Sequence, residues 1–75
     1  MNKKRFQELN YKITKKEASL SEKSEYMEML YANGSITENQ YKSYKNGKDR
    51  DSSIQLGLIV GAGLLLGWLV KGLTK

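Results

Sequence analysis

The side chains of this 75-residue sequence that could do chemistry are eight carboxylates and a scatter of hydroxyls, with no Cys and no His. That excludes thiol and imidazole catalysis and the usual zinc and haem ligand sets. A carboxylate-only metal site needs oxygen ligands converging from several directions, whereas the acids here are spread over helix surfaces. The Ser and Thr residues sit where helix caps are needed. The expectation is therefore no catalytic residue, no metal ligand and no cofactor, and a protein that is not an enzyme.

The elements that carry these groups read as helices. Ser19 and Glu22 have the S-x-x-E spacing of a capping box, and Met27, Leu30 and Tyr31 follow on one face, with Glu22, Glu25 and Glu28 on the other. Asn33-Gly34 ends this helix, because glycine accepts the left-handed conformation just past a C-terminus. Thr37 and Gln40 form a second capping box, with Ile36 and Tyr41 spaced as a hydrophobic staple. Tyr41 and Tyr44 give this helix an inward edge, and Asn46-Gly47 closes it.

The run Leu30-x-x-x-Gly34-x-Ile36-Thr37-x-x-Gln40-Tyr41, followed by Lys45, resembles the two-helix hairpin of the short C-terminal (SHOCT) domain family. The likeness covers about residues 26–45. It implies a small helical interaction or oligomerisation module in which Leu30, Gly34, Ile36, Thr37 and Tyr41 carry the hairpin.

Charge divides the N-terminal part. Residues 1–16 hold six basic side chains and Glu8, whereas residues 17–30 hold four glutamates and Lys23. The two stretches attract each other or different partners. Phe6, Leu9 and Ile13 recur at helical spacing as a narrow apolar stripe. Lys4, Arg5, Lys12, Lys15 and Lys16 are the candidate contacts to an anionic membrane surface or to phosphates. The third reading of the same charges is a solvated face whose helix packs on the acidic one.

From Ile54 to Val70 the sequence runs IQLGLIVGAGLLLGWLV without a formal charge. About 17–20 helical residues cover the hydrocarbon thickness of a bilayer. A capping box at Ser52 and Gln55 sets the expected start, and Trp68 and Lys71 are expected interfacial anchors, with Lys75 beyond them. Eleven of the 13 basic residues precede the span, which predicts a cytoplasmic N-terminus and a tail-anchored layout. Gly57-x-x-x-Gly61 and Gly63-x-x-x-Gly67 are two small-xxx-small pairs on different faces, which predicts helix-helix contact in the membrane and a homo-oligomer.

The expected organisation is all-α: a basic amphipathic helix over residues 1–18, a helical hairpin over 19–46, a polar linker over 47–53 and a transmembrane helix over 54–73. The leading functional reading is a single-pass membrane protein whose cytoplasmic helices act as a scaffold or adaptor, with the lipid bilayer, further copies of itself and a cytoplasmic protein as partners. A membrane-permeabilising protein of the phage holin or small toxin kind is the alternative. A membrane-tethered nucleic-acid binder, using the basic arm, is the second alternative. Abundant Lys, Asn and Tyr with no Pro fit an AT-rich bacterial or phage genome.

Overall fold

Helix starts in the first three elements rest on side-chain caps that the sequence supplies. In the computed structural model, which describes the backbone of residues 2–47 and 50–73 and side chains as far as residue 68, four α-helices follow one another. They are α1 (Lys3–Thr14), α2 (Leu20–Ala32), α3 (Glu38–Lys45) and α4 (Arg50–Leu73). Asn2 caps α1 by accepting from the Arg5 backbone N–H at 3.0 Å. Ser19 and Thr37 open α2 and α3 with reciprocal capping boxes to Glu22 and Gln40. Each box satisfies two backbone donors that a helix end would otherwise leave unpaired.

Helix ends are as local. Gly34 and Gly47 follow α2 and α3 with φ of +76° and +77°, the left-handed region that a side chain disfavours. The α1–α2 turn uses Lys16 at φ 60° for the same purpose, at the strain a Cβ imposes there. α4 begins at Arg50, ahead of the Ser52 start expected from the capping pattern. Asp51 lies in its first turn, where a carboxylate suits the positive end of the helix dipole. The expected polar linker over 47–53 is thus helical from residue 50, and residues 48 and 49 lie outside the described set.

The four helices share one core: Phe6, Leu9 and Ile13 from α1, Tyr26, Met27 and Leu30 from α2, Ile36 before α3 and Tyr44 within it are buried, and α4 packs half-buried side chains such as Ile54, Leu58, Leu65 and Trp68 against them. The α1 stripe is the one its spacing predicts. On α2 the buried aromatic is Tyr26, and Tyr31 is 39% exposed. Tyr31 stacks instead on Tyr41 of α3, with ring centroids 4.7 Å apart. Charge pairs brace α1 antiparallel to α2, with Lys12 on Glu22 and Arg5 on Glu25.

α1 also runs antiparallel to α4. Its N-terminal Lys3 lies over the Trp68 ring, while Ile13 and Thr14 share a groove with Ile54 and Leu58. The apolar C-terminal helix is therefore part of the bundle along one side.

Candidate membrane face and glycine seam

α4 is long and apolar enough to cross a membrane. Of its residues 50–68, only Gly57 and Gly61 are buried. The two glycines form a seam where α2 crosses α4. A Cβ at Gly57 would lie 2.8 Å from Met27 Sδ and 3.3 Å from Leu30 Cδ1. One at Gly61 would meet the Tyr26 hydroxyl and lie 3.0 Å from the Phe6 ring. Glycine lets the Tyr26 ring reach the α4 backbone.

Tyr26 anchors this contact. Its hydroxyl accepts from Asn10 Nδ2 at 2.8 Å and donates to the Gly57 carbonyl at 3.2 Å. Its ring stacks on Phe6 at 4.7 Å, and Phe6 meets Trp68 edge-on at 5.8 Å. Burial pushes the Tyr26 phenol up from its ordinary value, and the Asn10 hydrogen bond opposes that in part.

Gly63 and Gly67 lie on the other side of the helix, with nothing within 4 Å of an added Cβ. Leu56, Ile59 and Leu66 are exposed nearby, Ile59 by 70% and Leu66 by 62%. The two glycine pairs, expected to serve alike, have different surroundings. Gly57 and Gly61 are covered by the chain's own α1 and α2, because Tyr26, Met27 and Phe6 supply the bulk that fits beside a side-chain-free backbone. Gly63 and Gly67 remain open.

The basic arm divides in a similar way. Arg5 donates from Nε and Nη2 to the two Glu25 carboxylate oxygens, each at 2.9 Å, and from Nη1 to Glu8 at 2.6 Å. Lys12 Nζ reaches Glu22 at 2.7 Å. The Lys12 hydrogen bond, joined by the Ser19 backbone N–H, holds Glu22 down at about 2. Arg5 holds Glu25 below the usual carboxylate range by its hydrogen bonds, while the same pairs raise Arg5 and Lys12. Arg5 and Lys12 thus contact the acidic helix. Lys15 and Lys16 are exposed, Lys15 with its ammonium 5.7 Å from the Tyr11 ring centroid, and Lys4 is exposed on the side of α1 that faces the C-terminal half of α4.

The hairpin residues are placed by the same packing. Leu30 and Ile36 are buried, Gly34 makes the turn, Thr37 caps α3, and Tyr41 lies on Tyr31. Trp68, expected at a lipid interface, sits against Phe6 and Lys3. Lys71 is within α4, its side chain outside the described set, and Lys75 lies outside it altogether.

Tyr26 and Asn10 are the contributors that sequence reasoning passes over. A signal for Tyr26 exists in its i,i+4 spacing to Leu30, which places both on one helix face. Searches of protein-family models, curated proteins and solved structures find no match to this chain.

Proposed function

We propose that this is a small membrane-associated helical scaffold: α4 enters the bilayer, and α1 to α3 form a module at the cytoplasmic face that binds further copies or a protein partner. The supporting observation is the one-sided burial of α4. A core helix of a soluble bundle buries most of its apolar side chains fully, whereas among the described residues of α4 no side chain is fully buried: Ile54, Leu58, Val60, Leu64, Leu65 and Trp68 are only half-covered by the core, and Leu56, Ile59 and Leu66 stay exposed. Covering those three completely is worth about 3–5 kcal/mol, at roughly 1.5–3 kcal/mol per full side chain. A bilayer covers every side of the helix at once.

Crossing and docking exclude each other. α1 lies along α4 as far as Trp68 and carries Lys3, Lys4, Arg5, Glu8 and Lys12, charges that are costly at the bilayer midplane. A spanning α4 has left α1 and α2, and the docked bundle is the form outside the hydrocarbon core. The 11 basic residues ahead of the span favour a single crossing with the N-terminus in the cytoplasm. The open Gly63/Gly67 face then supplies a helix-helix contact, and the SHOCT-like hairpin fits self-association or partner binding.

Flotation with zwitterionic vesicles, followed by alkaline carbonate extraction, tests the membrane reading. The full chain is expected to float and to stay with lipid after extraction, and recovery in the soluble fraction overturns the proposal. Crosslinking in vesicles is expected to give a ladder that Gly63→Ile shortens.

A further inference from the structure

Between the first turns of α1 and the C-terminal half of α4 lies a groove of about 460 Å³, lined by Lys3, Lys4, Gln7, Leu65, Leu66 and Trp68. Its two sides differ in chemistry. α1 supplies two ammonium groups and an amide, and α4 supplies an apolar wall. Lys3 Nζ stands 5.1 Å from the Trp68 ring centroid, at the boundary between them.

The positive charge at this rim is uncompensated among the described residues. α1 has no acid in its first turn. Glu8, the nearest acid along the helix, is engaged by Arg5 at 2.6 Å. The other acids paired on this side of the bundle, Glu22 and Glu25, are held by Lys12 and Arg5. Lys3 and Lys4 therefore face the groove mouth with no carboxylate partner there, beside Leu66, which is 62% exposed.

We infer that this groove binds an anionic phospholipid, the phosphate on Lys3 and Lys4 and the proximal acyl carbons on Leu65, Leu66 and Trp68. Two observations select that occupant. The two ammonium-bearing side chains of its lining fit the charge of a phosphodiester, and the apolar wall of Leu65, Leu66 and Trp68 opposite them fits a chain that a free phosphate lacks. Gln7 adds a neutral donor for headgroup oxygens. The site exists only in the docked bundle, because its two sides come from α1 and α4. It rests on the reading of the protein as membrane-associated and adds a lipid preference to it: the docked form recognises an acidic bilayer surface before α4 enters.

Trp68 is the sole tryptophan of the chain and lies in the groove, so its emission reports occupancy directly. The test titrates the full-length protein with dihexanoyl phosphatidylglycerol kept monomeric, below its micelle threshold, so that no bilayer is present. Saturable blue-shifted emission is expected with this lipid, with much weaker binding of the phosphatidylcholine counterpart and no change with inorganic phosphate. Lys3→Gln and Lys4→Gln should each weaken binding by roughly fivefold, the factor expected for one basic group at an anionic headgroup. Leu66→Asn, at an exposed position, should weaken it while leaving helicity by circular dichroism unchanged. Equal responses to the two lipids, or a Lys3→Gln/Lys4→Gln double variant that binds as the native chain does, would overturn the site. An inorganic phosphate response matching that of the lipid would also overturn it, by removing the role of the apolar wall. Flotation with zwitterionic vesicles reads the membrane proposal separately, so failure of the lipid site and failure of membrane association are distinguishable.

Discussion

Replacing single glycines of α4 by alanine gives opposite results at Gly61 and Gly63. Any Gly→Ala change inside a helix gains about 0.8–1 kcal/mol of intrinsic helix propensity. At Gly63 nothing lies within 4 Å of the new methyl, so that gain stands alone and the variant is stabilised by about 0.8–1 kcal/mol. At Gly61 the methyl meets the Tyr26 hydroxyl, and the Tyr26 Cζ and Phe6 Cζ atoms would be 2.9 and 3.0 Å away. Neither ring can yield easily, because both are fully buried and stacked on each other. Overpacking of this kind costs about 1–3 kcal/mol, and displacing the hydroxyl from the Gly57 carbonyl adds about 0.5–1.5 kcal/mol. The expected net loss at Gly61 is about 0.5–3.5 kcal/mol after the propensity gain. Gly57→Ala falls between, since its closest contact is the flexible thioether end of Met27. Urea denaturation of the full chain in dilute buffer, followed by far-ultraviolet circular dichroism and by Trp68 emission, measures all three. If Gly61→Ala proves as stable as Gly63→Ala, the docking of α4 on Tyr26 is refuted.

Three further outcomes follow from the geometry. Tyr26→Phe keeps the stacked ring but removes the hydrogen bonds to Asn10 and the Gly57 carbonyl, and should lower stability by about 1 kcal/mol in the same denaturation assay. Gly34→Ala puts a side chain at φ +76° in otherwise open space, so backbone strain alone should cost about 1–2 kcal/mol, seen as an earlier melting midpoint. Glu22 is held at about 2 against an ordinary 4.5. Its contribution is therefore complete above about pH 4.5 and is lost as pH falls through that interval. A Glu22→Gln variant should show a shallower fall of melting temperature with acid than the native chain between pH 4.5 and 2, and parallel curves would contradict the pairing with Lys12.

What could be read from the sequence is what local rules determine. The capping boxes at Ser19 and Thr37 and the terminating glycines Gly34 and Gly47 depend on residues within a few positions of one another, and so does the Phe6, Leu9, Ile13 stripe. The opposed charge blocks left α1 free to pair with α2 or with another partner, and which basic residue meets which glutamate depends on how α1 lies on α2. Tyr26 escaped because it sits between Glu25 and Glu28 and owes its burial to glycines 31 and 35 positions further on. The docking of α4 escaped for a different reason. Hydropathy measures the wish of a helix to leave water and is silent on whether lipid or protein receives it. Glycine pairs carry the same ambiguity, since a bare stretch of backbone admits a neighbouring copy and a tyrosine of its own chain equally well.

The contact between Phe6 and Trp68 joins residues 62 positions apart, whereas Asn10 and Tyr26 are only 16 apart. Closing the shorter loop loses less chain entropy, so the α1–α2 hairpin assembles first and α4 arrives on a surface already formed. In native-state hydrogen exchange the two should behave as separate cooperative units. Opening of α4 exposes Phe6, Tyr26 and Met27 while the Arg5–Glu25 and Lys12–Glu22 pairs still hold the hairpin. The free energy of that partial opening, smaller than that of global unfolding, sets how many molecules at any instant present a free apolar helix.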